Sequence, residues 1–274
     1  MNLPLLDLEL ARRVEFAESQ ASCEAAETVQ RLRPAVGAAV ERIAGGAAVF
    51  CGVNSPVTQA TGVGLNGPVS AHEIDRLEQF YFSRGDAARV ELCPLAHASV
   101  TEEFGKRGYR VTEFSNVMAR PIRRDEKWPA PHETIQIERL APAQADLWAR
   151  VVAQGFAEQY PVTPEIFDVM EMFALGRNTE CYLARVKGEP AGGAALAIRK
   201  GIAGCFGAST LPAFRNRGVQ TALLNVRLAR AVATGCELAV SIAQPGSTSQ
   251  RNITRQGFLT LYTRVKFEKA LPAA

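Results

Sequence analysis

Between Gly207 and Leu224 the chain reads G-A-S-T-L-P-A-F-R-N-R-G-V-Q-T-A-L-L. An apolar run ends there, and Pro212 lacks the backbone donor that strand pairing needs. A short loop carrying Arg215, Arg217 and Gly218 then runs straight into an amphipathic stretch. Such a loop delivers the first N–H groups of a helix with no intrahelical acceptor. Together with the positive end of the helix dipole they make a seat for phosphate. Arg215 and Arg217 add charge-assisted donors, and Gly218 lets the backbone approach a ligand where a Cβ would intrude. The competing description is a loop of solvated arginines with an ordinary turn glycine. The order of the elements around the loop favours the phosphate seat.

Those elements are legible from periodicity. The spacing predicts a helix from Ala143 to Gln159 and a second from Pro164 to Leu175. Strands follow at Cys181–Val186, Ala191–Ile198 and Ile202–Leu211, joined by turns at K-G-E-P and Lys200-Gly201. The helix after the loop places Val219, Ala222, Leu223, Val226, Ala229 and Ala233 on one predicted buried face and stops at Gly235. The run L-A-V-S-I-A after Glu237 is a buried strand. Strand, helix, strand in this order demands a parallel crossover.

This arrangement resembles the GNAT superfamily of acyl-CoA N-acyltransferases, whose pyrophosphate loop reads R/Q-x-x-G-x-G/A. Here it stands as Arg215-Asn216-Arg217-Gly218-Val219-Gln220, with Gln220 where glycine or alanine is usual. Thr210 two positions before Pro212, and the closing Gly257-Phe258, match the same pattern. The resemblance extends from about Ile135 to Lys269. It implies acetyl-CoA as co-substrate and no metal. The implied cofactor contacts are Ala208, Ser209 and Thr210 on the strand, Arg215 to Gln220 in the loop, and Ser249 and Asn252 further on. Ser249 and Asn252 have a second role open to them, capping or solvating the last helix.

Acid and base are harder to assign. The tyrosine that the family frequently uses to protonate the leaving thiolate falls on Ile253, which has no proton to give. Tyr262 follows the loop on the last predicted strand and either packs there or serves as that acid. Glu158 and Glu165, around the first two helices of this half, face the acceptor side in the fold the resemblance implies, which makes Glu158 a candidate catalytic residue; each is otherwise a solvated carboxylate.

The first half echoes the second. Gly67, Gly85 and Gly108-Tyr109 recur at nearly the spacing of Gly218, Gly235 and Gly257-Phe258, and alternating segments follow both sets. Its equivalent loop, G-V-G-L-N-G-P-V-S-A-H-E-I-D-R-L, has no arginine before its helix, and Pro68 removes an N–H from the anion seat. His72 is a lone, mostly neutral side chain. The expectation is an α/β (α+β) chain of tandem GNAT-like folds, each a mixed, mostly antiparallel sheet with a central parallel pair flanked by helices. Residues 1–124 form a degenerate copy without cofactor, in which 1–44 are helices. A proline-rich, charged linker spans 125–134, with Trp128 anchoring it, and 135–274 form the acyl-CoA-binding catalytic domain.

Bulk properties narrow the partners. A net charge of +3, with basic residues in pairs rather than tracts, argues against nucleic acid. The 6 cysteines form no C-x-x-C and the 3 histidines are scattered, so a zinc site has no support and buried, reduced thiols are expected. The N-terminus has no basic segment ahead of an apolar run, and no apolar stretch is long enough to span a bilayer, which points to the cytoplasm. The expected function is transfer of acetyl from acetyl-CoA to a primary amine on a small molecule or protein. A non-catalytic acyl-CoA-binding or regulatory module and a transferase of another acyl group are the alternatives. The acceptor and the oligomeric state are not encoded in any motif.

Overall fold

A computed structural model of the chain describes residues 6–157 and 162–272. They fall into two compact units, each discontinuous in sequence. One holds residues 6–118, 243–247 and 260–272; the other holds Ala119–Ile242 and Thr248–Leu259.

The first unit opens with helix α1 (Leu8–Leu32), started by the Asp7 side chain accepting from Leu10 N at 2.8 Å. Strands β1 (Ala39–Ile43), β2 (Gly46–Phe50) and β3 (Gln59–Thr61) follow. Helix α2 (Ala71–Phe82), strand β4 (Ala88–Leu92), helix α3 (Ser99–Lys106) and strand β5 (Arg110–Pro121) complete the N-terminal run. Residues 39–43, expected within a helical leader, are instead the first arm of a hairpin. Ala44 and Gly45 both have positive φ, the geometry of a tight two-residue turn, and Ile43 pairs with Gly46. The core gathers Ile74, Leu77, Val90, Val100 and Phe104.

The second unit contains β6 (Ile135–Arg139), α4 (Ala145–Gly155), α5 (Pro164–Ala174), β7 (Thr179–Val186), β8 (Glu189–Arg199) and β9 (Ile202–Thr210). After these come α6 (Val219–Ala233), β10 (Leu238–Ala243) and α7 (Thr248–Thr254). Its strands lie in the order β10-β9-β8-β7-β6. Lys187-Gly188 and Lys200-Gly201 make the hairpin turns read from sequence, with positive φ at all four residues. Small side chains along β8 let helices close on the sheet: a Cβ on Gly193 would sit 2.7 Å from Val152 and 3.0 Å from the Trp148 indole nitrogen. The stretch 122–134 carries neither helix nor strand, as its prolines dictate, and Trp128 lies 4.4 Å beneath the Arg120 guanidinium.

Both units contain the same parallel crossover. Ala60 and Thr61 of β3 pair with Val90 and Glu91 of β4 across α2. Ile202, Ala203 and Gly204 of β9 pair with Leu238, Ala239 and Val240 of β10 across α6. The tandem α/β architecture expected from the spacing of landmarks is therefore present.

Two further expectations differ from the structure. Strand β11 (Leu259–Lys269), expected in the second domain, belongs from residue 260 onward to the first unit. There β11 pairs antiparallel with β4, from Val265–Leu92 to Lys269–Ala88, in the order β1-β2-β3-β4-β11-β5. The pairing partner lies far off in sequence, so no local pattern could disclose it. The buried face of α6 also differs: Val219, Ala222, Leu223, Leu224, Asn225, Arg227, Leu228 and Ala231 are covered, while Ala229 and Ala233 are exposed. The cause is Arg227, only 2% exposed, whose guanidinium donates to the carbonyls of Leu223 and Ala195 at 3.1 Å each. A search for apolar side chains passes over a buried arginine.

Candidate functional site

The loop from Leu211 to Gly218 links β9 to α6. A short 3₁₀ turn, Pro212–Phe214, breaks strand pairing as its proline predicts. Asn216 takes φ 59°, and Gly218 stands at the N-cap of α6 with φ 82°. No side chain caps this helix, although Ala222 N already donates to Gly218 O at 2.9 Å. The N–H groups of Val219, Gln220 and Thr221 precede that first intrahelical bond, and no Asp or Glu stands between Gly207 and Leu224. The helix therefore begins with free donors, a positive dipole end and two nearby guanidiniums, which is an anion seat.

The corresponding helix of the first unit is closed. Ser70 caps α2 by accepting from Glu73 N at 3.3 Å, and Glu73 Oε2 accepts from Ser70 N at 2.9 Å. Those hydrogen bonds to Ser70 hold the Glu73 carboxyl below its ordinary range. The unit carries its own anion where the other leaves room for one.

The two arginines of the open loop differ. Arg217 is exposed, 5.6 Å over the Phe214 ring. Arg215 is partly buried, with Nε 3.4 Å from Thr210 O and Nη2 3.4 Å from Gly155 O. Its guanidinium thus braces the loop against β9 and α4.

Along β9 the chain opens toward β10. Parallel pairing runs only through Gly204 and Val240; beyond it the Ser241 hydroxyl donates to Cys205 O at 2.9 Å. From Phe206 to Thr210 the edge of β9 toward β10 has no strand partner in that register. On the opposite edge Gly193 pairs with Ser209 and Ala195 with Phe206, so Gly207 and Ala208 together face Ala194. This bulge turns the strand where it diverges. The sequence reading missed it; the signal was a glycine inside a strand, Gly207 with φ 56°. The Ser209 side chain donates to Val152 O at 2.9 Å, which commits its proton within the unit.

Further on, α7 brings Asn252 against the loop: its Nδ2 donates to Gln220 Oε1 at 2.6 Å. Ser249 lies half-buried on the same helix. Ile253 is buried.

Tyr262, the acid candidate, is engaged within the first unit. It lies on β11 in the first unit, 5% exposed, and its hydroxyl donates to Glu15 Oε1 at 2.7 Å. Burial and the Glu15 charge push the phenol far above its ordinary value. This setting favours packing over acid catalysis. Glu158 lies outside the described residues, as does the side chain of Glu165. No cluster of His, Cys, Asp and Glu suited to a metal ion occurs among the described residues.

Comparison with known proteins agrees with this geometry. The model of the Acetyltransferase (GNAT) family matches residues 147–258, from α4 to the Gly257-Phe258 pair. No curated protein matches. Among solved structures, a GCN5-related N-acetyltransferase from Kribbella flavida aligns over 93% of this chain and 96% of its own, with TM-score 0.65 and 15% identity. A functionally unknown conserved protein from Staphylococcus epidermidis covers 86% of this chain and 95% of its own, with TM-score 0.58 and 9% identity. A tandem GNAT protein from the clavulanic acid biosynthesis pathway covers 74% and 69%, with TM-score 0.55 and 13% identity. At such identities the likeness is one of fold. Residues 147–258, which carry the open loop and the diverging strands, are thus the part of the chain that is similar to the GNAT acetyltransferase family.

Proposed function

We propose that the second unit binds acetyl-CoA and transfers its acetyl group to a primary amine by direct attack. The observation that carries this is the bare start of α6, uncapped at Gly218 and preceded by arginines without any acid. The residues suit the pyrophosphate of CoA: the N–H groups of Val219 and Gln220 receive it, with Asn216 and Arg217 at the rim and Arg215 bracing the loop. When bound, CoA supplies an activated thioester and a thiol leaving group. Ala208, Ser209 and Thr210 line the unpaired edge of β9, and a backbone N–H there stabilises the oxyanion formed on attack.

Proton traffic relies on solvent. An amine of pKa about 10 is mostly protonated at neutral pH, so water carries its proton away. The departing thiolate takes a proton from water or from the incoming amine, since Ile253 cannot donate and Tyr262 is committed to Glu15. Free, buried cysteines suit a reducing compartment, and the cytoplasm is the proposed setting. Among the described residues no helix is long and apolar enough to cross a membrane.

The lack of an assigned acid favours one second reading, a module that binds acyl-CoA without catalysis. Incubation with acetyl-CoA, an amine panel and a thiol reagent separates the two. CoA thiol released only when amine is present supports transfer; binding without amine-dependent release supports the module.

A further inference from the structure

Gln220 departs from the glycine or alanine usual at its loop position, and its side chain is part of a chain of directed hydrogen bonds. Arg255 Nη1 donates to Asn252 Oδ1 at 3.2 Å. A guanidinium has only donors, so it fixes which end of the Asn252 amide faces it. Nδ2 must then point the other way, and it donates to Gln220 Oε1 at 2.6 Å. That bond settles the Gln220 amide in turn: the oxygen is held by α7, and Nε2 keeps its two hydrogens outside that bond. Gln220 is the second residue of α6, within the turn whose N–H groups are uncapped, and its side chain is only partly buried.

Resting on the acyl-CoA reading above, we propose that Gln220 Nε2 is a side-chain donor to the CoA pyrophosphate and that Asn252 is a positioning residue. Asn252 acts by holding the Gln220 amide with its nitrogen toward the anion. Without that restraint the amide samples both orientations, and one of them presents a carbonyl oxygen to phosphate. The loop thereby gains a donor that a glycine or alanine at this position cannot supply. Asn252, which the sequence offered as a cofactor contact, acts at one remove.

Calorimetric titration of the full chain with CoA, and with pantetheine as a ligand lacking every phosphate, tests this. Gln220→Met keeps length and helix propensity while removing donor and acceptor; CoA affinity should fall about tenfold, with pantetheine unchanged. Asn252→Ala should weaken CoA roughly threefold to fivefold when Gln220 is present, and have no further effect in the Gln220→Met background. Gln220→Glu removes the donor and adds a negative charge, and should weaken CoA more than Gln220→Met, with a steeper dependence on salt. Unchanged CoA affinity in Gln220→Met overturns the proposal, as does equal loss of pantetheine binding, which would reveal a merely structural tether. An Asn252→Ala effect of the same size in both backgrounds makes Asn252 a direct contact and overturns the positioning role. Failure of the unaltered chain to bind CoA would overturn the acyl-CoA reading itself, a distinct result.

Discussion

The phenolic proton of Tyr262 is donated to Oε1 of Glu15 across 2.7 Å, and the same oxygen accepts from Arg264 Nε at 2.7 Å. Glu15 and Arg264 are both 0% exposed. The first helix and the last strand of the N-terminal unit are thus joined by a buried ionic cluster that Glu91 also enters, 3.3 Å from Arg264. Tyr262→Phe removes one hydrogen bond to a charged group and should cost about 1.5–3 kcal/mol of stability. Turnover per folded molecule should stay within about twofold, since no acid role is removed. Urea unfolding and amine-dependent CoA release measure the two; a large fall in turnover with normal stability would restore the acid role.

The ion pair itself predicts an asymmetry. Arg264→Met leaves Glu15 buried with its charge uncompensated and should destabilise by about 3–5 kcal/mol. Glu15→Leu combined with Arg264→Met should cost clearly less than the sum of the single changes, because no unpaired charge remains. Additive losses in denaturant midpoints would argue that the charges contribute independently.

Gly218 separates conformation from space. Its φ of 82° costs a non-glycine residue about 1–2 kcal/mol. A Cβ there would meet only Ile135 Cδ1, at an ordinary 3.8 Å. Gly218→Ala should therefore lower the melting temperature by a few degrees and still bind CoA. Gly218→Pro cannot adopt the positive φ, so it misdirects the first turn of α6 and should abolish detectable binding. Calorimetry on both variants checks the pair.

Glu73 predicts the stoichiometry. With that carboxylate already on the α2 N-terminus, titration should give one CoA per chain. Ser70→Ala should destabilise the first unit by about 0.5–2 kcal/mol through loss of the cap, without altering CoA affinity. Two equivalents of CoA would mean the seat in the first unit is open.

Glu180 gives a pH signature. Burial alone would raise its pKa, but the Arg230 guanidinium, at 2.8 Å, and the Tyr182 hydroxyl, at 2.7 Å, outweigh it and hold the carboxyl below its ordinary value of 4.5. A depressed folded-state pKa contributes stability above the unfolded value and loses it as pH falls through the folded one. Glu180→Gln should therefore be less stable than the unaltered chain at neutral pH, with the gap closing as pH drops below 4.5. Urea midpoints across that range decide it; a gap independent of pH would show that the carboxylate charge contributes nothing.

Much of the second unit was legible because its signals are local. Lys187-Gly188 and Lys200-Gly201 mark hairpins, and Pro212 with Gly218 brackets the loop, so strand, loop and helix follow in order. Features that depend on distant partners were not legible. The pairing of Val265 with Leu92, and the carboxylate that receives the Tyr262 proton, lie across most of the chain. The hydrogen bond from Asn252 to Gln220 depends on where α7 lands, which spacing does not state. The bulge at Gly207 and Ala208 had a visible cause, a glycine in a strand, whose effect on register appears only when β8 is paired beside it.

The placement of β11 also sets an order of events. Arg89 and Glu268, bonded at 2.8 Å, lie 179 positions apart. During synthesis the earlier residues emerge first, so β4 can pair with β3 but lacks its second neighbour until β11 has been made. The first half must wait with an unpaired strand edge, an aggregation hazard, and closes its sheet late through contacts of very long range. A nascent chain arrested before Leu259 is thus an unfinished first unit as well as a shortened second one, and deleting β11 would damage the unit built from residues 6–118.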